Sequence, residues 1–187
     1  MMKIVLTGLA FALSLSALTA CGPQTGTPPA STGALAKLKT EQPPKAVSPV
    51  SFVDAVGTNH TLAEFRGRYV LLNLWATWCA PCVRELPALS NLQARLGTNN
   101  LLVIPVSIGR DTAAQTQIFL NQHNAKLPVY RDTKSAFLHA FGAFGLPLTV
   151  LIDPQGREIA RASGALRWDA PESVAYFKSL GKSGTGS

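Results

Sequence analysis

The sequence has few charged residues and no cluster of one sign. Asp, Glu, Lys and Arg make up 14% of its 187 residues, and the 17 Lys and Arg side chains are scattered along the chain. Proteins that bind nucleic acids carry Lys and Arg in blocks or along one face, often interleaved with aromatic residues. Neither feature is present, so nucleic acid is not predicted as a partner.

The sequence also lacks the paired ligands of a structural zinc site. Such a site needs four ligands, normally two cysteine pairs or one cysteine pair and two histidines. The chain has one Cys-x-x-Cys pair, Cys79 and Cys82, and three isolated histidines, His60, His123 and His139. We therefore predict no resident metal and no cofactor. Transient binding of Cu(I) by the two thiolates stays an alternative, because soft sulfur ligands suit that ion.

An uncharged run at residues 4–20 follows Lys3. At about 17 residues it is short for a membrane-spanning helix and typical of the apolar part of a secretory signal peptide. The run ends in Leu18-Thr19-Ala20-Cys21, which resembles the lipobox of bacterial lipoproteins. The resemblance implies that residues 1–20 are a signal peptide and that Cys21 is lipidated. A plain signal peptide and a short membrane anchor are the alternatives.

Residues 22–49 hold six prolines among Gly, Ser, Thr and Ala, without apolar periodicity. This composition is typical of a flexible tether. A packed extra element is the alternative, and it would have little apolar material beyond Leu35, Leu38 and Val47. We predict a tether at 22–49, a folded domain at 50–181 and a flexible tail at 182–187.

Within residues 50–181, strand and helix patterns alternate. The nearly continuous apolar run at 69–75 predicts a central strand covered on both faces. A helix follows directly, with leucines spaced by three and four residues, and 101–108 predicts a second buried strand. Asp111 is predicted to cap the next helix, and the segments at 148–152 and 157–162 predict a hairpin before a last helix. The pattern predicts an α/β fold around one sheet.

Cys79 and Cys82 are predicted to be reactive. A disulfide that closes so short a loop removes little chain entropy, about 2 kcal/mol or less, so a structural role is disfavoured. Cys79 stands where a strand ends and a helix begins, and the positive end of the helix dipole stabilises a thiolate there. We predict Cys79 as the nucleophile and Cys82, one turn further and more buried, as the resolving thiol. Trp75 and Trp78 would give apolar cover, with core packing favoured for Trp75.

The segment at 73–87, NLWATWCAPCVRELP, resembles the active-site segment of the TlpA/ResA/CcmG branch of thioredoxin-like proteins. The likeness extends over about residues 49–180, through Val106-Ser107, Asp132 and Gly145-Leu146-Pro147. It implies a thioredoxin fold, with a central mixed sheet flanked by helices and ending in a β-hairpin and a C-terminal helix.

The resemblance also implies roles for single residues. Pro147 matches the cis-proline that faces the redox pair, and a cis bond there would expose the backbone of Leu146 to pair with a substrate segment beside Trp78. Glu85 matches an acidic residue thought to tune thiol acidity and move protons. Asn73 stands where thioredoxin has a buried Asp, which leaves Glu85 as the substitute.

The implied function is that of a membrane-tethered thiol–disulfide oxidoreductase. It would reduce disulfides in exported proteins, of the cytochrome c or copper-site maturation type, and would be recharged by a thiol electron donor in the membrane. The implied location is the cell envelope, lipid-anchored on the periplasmic face of the inner membrane. A disulfide oxidant and a thioredoxin-fold copper chaperone are the alternatives. A peroxidase would need a Thr-x-x-Cys pattern, which the segment around Cys79 does not have.

We expect the full chain, produced in bacterial cells, to incorporate a fatty-acid analogue and Cys21→Ala to lose the label, because the lipobox cysteine is the acceptor. Gel detection of the labelled protein measures this. Cys79→Ala is the matched control and should keep the label, since it leaves the lipobox intact. A label retained on Cys21→Ala would contradict lipidation at that residue.

Overall fold

The computed structural model describes residues 33–99 and 101–183 of the chain. The predicted signal peptide, Cys21 and tether residues 22–32 lie outside the described residues, and so do residues 184–187. The strands are β1 (Lys39–Ala46), β2 (Ser51–Val53), β3 (Asn59–Thr61), β4 (Tyr69–Trp75), β5 (Leu101–Ile108), β6 (Tyr130–Asp132), β7 (Leu148–Ile152) and β8 (Arg157–Ser163). The helices are α1 (Ala80–Leu96), α2 (Ala113–Gln122), α3 (Ala136–Ala140) and α4 (Pro171–Ser183), with short 3-10 helices at Gly33–Leu35 and Leu62–Phe65.

The eight strands of the described residues join one mixed sheet in the order β1-β8-β7-β4-β5-β6-β2-β3. The strands β4, β5 and β6 are parallel to one another, whereas β7 is antiparallel to β4 and β8 is antiparallel to β7. The predicted arrangement of a single sheet with a hairpin and a final helix is confirmed. No helix in residues 33–99 and 101–183 has the length and apolarity needed to cross a membrane.

The central strand β4 is apolar on both faces because the sheet is covered on both sides. Its side chains alternate, as the two-residue period of a strand requires. Leu71 and Trp75 belong to a core that also includes leucines of α1 and aromatic residues of α4. Val70, Leu72 and Leu74 belong to a second core, on the side that includes Phe137 of α3. The bounds predicted for this strand, 69–75, are those observed.

The first helix after β4 buries the face that its leucine spacing predicts. Leu86, Leu89 and Leu92 are fully buried, and α1 packs against β5 and α4. Gly97 ends the helix with a positive φ of 69°, a conformation that a residue without a Cβ adopts readily. Helix α1 is thereby held between the sheet and α4.

The tether prediction is wrong for its described part. Leu35 and Leu38 are buried at 0% and 3% exposure in the core beside α4, and residues 39–46 form β1, which pairs antiparallel with β8. The pairing is interrupted between Thr40 and Lys45, where two prolines stand. Strand β1 is polar and almost wholly exposed, so it carries no apolar alternation. Its backbone hydrogen bonds to β8, together with the two buried leucines before it, hold it in place.

Two further boundaries differ from the predictions. Thr112, and not Asp111, is the N-cap of α2: its side chain accepts a hydrogen bond from the backbone N–H of Gln115 at 3.2 Å. Helix α4 extends to Ser183, two residues into the segment predicted as a tail. The first difference leaves the Asp111 carboxylate free for another partner.

We expect Leu35→Ala to lower the free energy of unfolding by about 2–5 kcal/mol, because it removes a fully buried side chain and leaves a cavity. Urea unfolding of the full chain measures this loss. Lys39→Ala, an exposed change four residues away, should shift the value by no more than about 0.5 kcal/mol. Equal, small effects of the two variants would mean that the segment before β1 is a tether after all.

Candidate redox site

The two cysteines lie at the start of α1, just after the chain leaves β4. The backbone turns through residues 76–79, and the N–H of Cys79 donates to the carbonyl of Ala76 at 3.1 Å. Cys79 is the N-cap of α1, and its sulfur accepts a hydrogen bond from the backbone N–H of Cys82 at 3.4 Å. The sulfurs of Cys79 and Cys82 are joined in a disulfide of 2.05 Å.

The two sulfurs differ in accessibility. Cys79 is 5% exposed and Cys82 is fully buried, so only Cys79 presents any surface to an approaching disulfide. After reduction, the free N–H groups at the start of α1 favour a thiolate on Cys79. Pro81 stands in the first turn of the helix, where a missing N–H leaves no hydrogen bond unmade. This arrangement suits Cys79 as the attacking thiol and Cys82 as the resolving one.

The two tryptophans near the pair occupy opposite environments. Trp75 is 1% exposed and packs in the core with both cysteines, with its ring centroid 6.0 Å from that of Phe119. Trp78, directly before Cys79, is 73% exposed. Core packing is thus observed for Trp75, and Trp78 offers a large apolar surface beside the nucleophile.

The loop before β7 reaches the same edge of the sheet. Leu148 pairs with Leu74, so Pro147 comes next to the end of β4, beside the start of the cysteine segment. The Leu146–Pro147 peptide bond is cis, Pro147 is buried and Leu146 is half-buried. Residues 142–148 line one side of an open groove. The expected cis-proline is present, and the binding of substrate by Leu146 and Pro147 stays a prediction.

Glu85 is buried at 2% exposure, and both of its carboxylate oxygens accept hydrogen bonds. Its Oε1 accepts a hydrogen bond from Asn73 Nδ2 at 2.8 Å. Its Oε2 accepts from the indole N–H of Trp168 at 2.9 Å and from the backbone N–H of Leu166 at 3.2 Å. Three donors from β4 and the segment before α4 therefore hold this carboxylate one helical turn after Cys82.

Burial raises the pKa of Glu85 above its usual range, and the hydrogen bonds from Trp168, Asn73 and Leu166 oppose that rise. Burial disfavours the charged form of a carboxyl, whereas donors favour it. The net direction is upward, with Lys37 adding a weak opposing attraction. A buried carboxyl in this condition can take up a proton at a pH nearer to neutral than a surface glutamate.

Asn73 fits this neighbour because it is an uncharged donor. Its Nδ2 donates to Glu85 and also to Thr149 Oγ1 at 2.9 Å, and the residue is fully buried. An Asp in its place would put a second carboxylate within hydrogen-bond distance of the first, and two such groups cannot both ionise in a buried site. The Asn at position 73 is therefore matched to the Glu at position 85.

Trp168 and Leu166 complete the Glu85 site, and sequence reasoning missed both. They stand more than 80 residues from Glu85, in a segment with no motif between β8 and α4, and α4 packs on α1. The sequence signal for this contact was Trp168 itself, a large side chain with one hydrogen-bond donor shortly before the last helix.

Comparison with known proteins identifies relatives of this chain. The sequence model of the AhpC/TSA family matches residues 41–160. The thiol-disulfide oxidoreductase ResA of Bacillus subtilis is 30% identical over 113 residues, which cover 60% of this chain. The chain spans 63% of that protein's length.

Solved structures show the fold. The exposed lipoprotein thioredoxin Etrx1 of Streptococcus pneumoniae superposes with a TM-score of 0.59 at 24% identity, covering 71% of this chain and 100% of that one. A secreted thiol-disulfide isomerase of Corynebacterium glutamicum superposes with a TM-score of 0.63 at 20% identity, covering 76% and 92%. The chain has the thioredoxin fold, as the motif around the cysteines predicts.

We expect the stability of the native chain relative to Glu85→Gln to fall as pH rises. Because the folded-state pKa of Glu85 lies above the unfolded value, the folded protein holds the proton more tightly. Burial of the ionised Glu85 carboxylate lowers the stability of the folded state. This loss is absent below the unfolded-state pKa and is fully present above the folded-state pKa. Urea unfolding of both oxidised proteins between about pH 4 and 7 gives the difference in their free energies of unfolding. The contributions of the other titratable groups are the same in both proteins and cancel in this difference.

Glu64→Gln is the matched control with the opposite sign. A hydrogen bond from His60 lowers the pKa of Glu64, so the native chain should gain stability over this variant as pH rises through the acid range. A flat difference for Glu85→Gln would mean that Glu85 is not buried as a carboxyl with a raised pKa.

Proposed function

Because the chain belongs to the AhpC/TSA family, in the TlpA/ResA/CcmG-like part of the thioredoxin superfamily, we propose that it is a thiol–disulfide oxidoreductase acting through Cys79 and Cys82. One observation carries the proposal. The accessible Cys79 caps the N-terminus of α1 and is joined to a buried Cys82 that can resolve a mixed disulfide.

In the reducing direction, the Cys79 thiolate attacks one sulfur of a substrate disulfide. A Cys79–substrate disulfide forms, and the other substrate sulfur leaves as a thiolate that takes a proton. The Cys82 thiolate then attacks the Cys79 sulfur, which restores the internal disulfide and releases the second substrate thiol. Two electrons pass from the cysteine pair to the substrate, and a membrane thiol donor would return them by the same exchange.

Glu85 is proposed to take the proton of the Cys82 thiol when that sulfur attacks. It lies one helical turn from Cys82 and is buried with it. Its raised pKa brings the carboxyl closer to the range in which thiols ionise. Asn73 and Trp168 would hold the carboxylate in place while it accepts the proton.

Substrate would bind at the edge where Trp78 and the loop of Leu146 and Pro147 meet the cysteines. The exposed Trp78 gives apolar contact, and the backbone of Leu146 would pair with an extended substrate segment. Exported proteins of the cytochrome c or copper-site maturation type are the proposed substrates.

The proposed location is the periplasmic face of the inner membrane, with lipid on Cys21. The run at residues 4–20 and the residues that end it support this. Two or more acyl chains anchor a protein stably where one would not. The full sequence has a formal net charge of +7, and removal of Lys3 with the signal peptide leaves +6, which adds a mild attraction to anionic headgroups.

We expect Cys79→Ala to reduce the rate of insulin-disulfide reduction to that of the uncatalysed reaction, because it removes the attacking thiolate. We expect Cys82→Ser to accumulate mixed disulfides with substrate, seen as higher-mass bands without reductant. Cys21→Ala should leave both readouts of the otherwise native chain unchanged. Activity retained by Cys79→Ala, or stoichiometric Cu(I) binding without any disulfide reduction by the native chain, would overturn the proposal.

The reduction potential of the Cys79–Cys82 couple decides the direction of transfer. A reductant should lie well below about −200 mV, whereas a value near about −120 mV belongs to an oxidant. Equilibration of the native chain with glutathione or a stronger dithiol measures it.

A further inference from the structure

Thr77 lies within the turn that leads from β4 to Cys79. The turn runs from Ala76 to Cys79 and is closed by their backbone hydrogen bond. Thr77 follows the first residue of the turn, and its hydroxyl donates to Asp111 Oδ2 at 2.8 Å. This partly buried bond spans 34 residues of sequence, so it fixes the turn to a distant segment of the chain.

The topology explains why Asp111 is within reach. Strands β4, β5 and β6 are parallel, and Trp75, Ser107 and Arg131 stand side by side in their register. Residues that follow β4 and β5 therefore emerge at one edge of the sheet. Asp111 follows β5 by three residues, and Arg131 Nη1 donates to its backbone carbonyl at 3.2 Å. The Asp111 backbone is thus held by β6 while its side chain holds Thr77.

The Asp111 carboxylate is not needed by its own helix, since Thr112 caps α2. Among residues 33–99 and 101–183, no basic side chain lies within ion-pairing distance of it, and Arg131 contacts its backbone instead. Within the described part of the chain, the carboxylate therefore brings a negative charge without an ion-pair partner to a residue two positions from Cys79. A nearby negative charge disfavours a second one, here the thiolate.

We propose that Asp111 is a positioning residue for the redox pair, whose carboxylate fixes the Cys79 turn through Thr77 and whose charge opposes formation of the Cys79 thiolate. The inference rests on the proposed function, because it concerns the reactivity of that pair. The thiolate belongs to the reduced form, so a charge that opposes it destabilises the dithiol relative to the disulfide. Asp111 thereby makes the couple a stronger reductant.

The first test removes the charge and keeps the oxygen that Thr77 needs. In the full chain with Cys21→Ala and Cys82→Ser, Cys79 is the only thiol, and its pKa follows from the pH dependence of iodoacetamide alkylation. Asp111→Asn should lower that pKa by about 0.5–1 unit. Asp54→Asn is the matched control, because Asp54 follows β2, which lies three strands away from β4 in the sheet. It should leave the pKa unchanged.

The second test uses the couple itself. With both redox cysteines present, and at a pH above the Cys79 pKa, Asp111→Asn should shift the equilibrium with glutathione toward the dithiol by about 3- to 10-fold. A tenfold change corresponds to about 30 mV for two electrons. A variant that only loosened the structure would lower thermal stability without moving the potential in this direction.

The positioning part is tested at Thr77. Thr77→Val keeps the shape of the side chain and removes the donor, so the rate constant for attack by the fully ionised Cys79 should fall by about 3- to 10-fold. Thr77→Ser keeps the hydroxyl and should restore the rate. Equal rates for the Val and Ser variants would overturn this part.

The outcomes separate this inference from the proposed function. The inference is overturned if Asp111→Asn and Asp54→Asn give the same Cys79 pKa, even when the native chain reduces disulfides. Should the native chain fail to reduce disulfides, the proposed function falls. The alkylation data would still confirm or refute the effect of Asp111 on Cys79.

Discussion

The junction between β4 and α1 is the constraint on which the rest of the site depends. Strand β4 is buried on both faces and hydrogen-bonded on both sides, so its last residue has little freedom. Cys79 comes four residues later, as the N-cap of a helix whose leucines are locked against β5. Any shift of this junction would move the sulfurs relative to Pro147, just before the neighbouring strand β7, and relative to Asp111, three residues after the neighbouring strand β5.

Local pattern was sufficient to predict the elements that are buried on both sides. The bounds of β4, β5 and β7 agree with the apolar runs because a two-sided core leaves few other ways to satisfy those residues. The helix start at Cys79 and the cis bond at Pro147 were also foreseen, the second through the family resemblance alone.

Two of the misses share a different physical origin, since each depends on a partner far away in sequence. The polar strand β1 exists because β8 offers a free edge, and nothing within its own eight residues indicates that. Glu85 is buried because Trp168 supplies a donor across more than 80 residues. The N-cap of α2 is a miss of another kind, because a local signal was present: Thr112 and Gln115 form a capping box within the first turn of the helix.

The course of β1 sets how far the folded part can travel from a membrane. If lipid is attached at Cys21, only the eleven residues 22–32 separate it from the described fold, and they extend to at most about 40 Å. A tether through residue 49 would have allowed about 100 Å. The segment that could link Cys21 to the fold is therefore shorter than the proline-rich composition of residues 22–49 suggests. A redox partner would have to present its disulfide within about 40 Å plus the width of the folded domain from the bilayer surface.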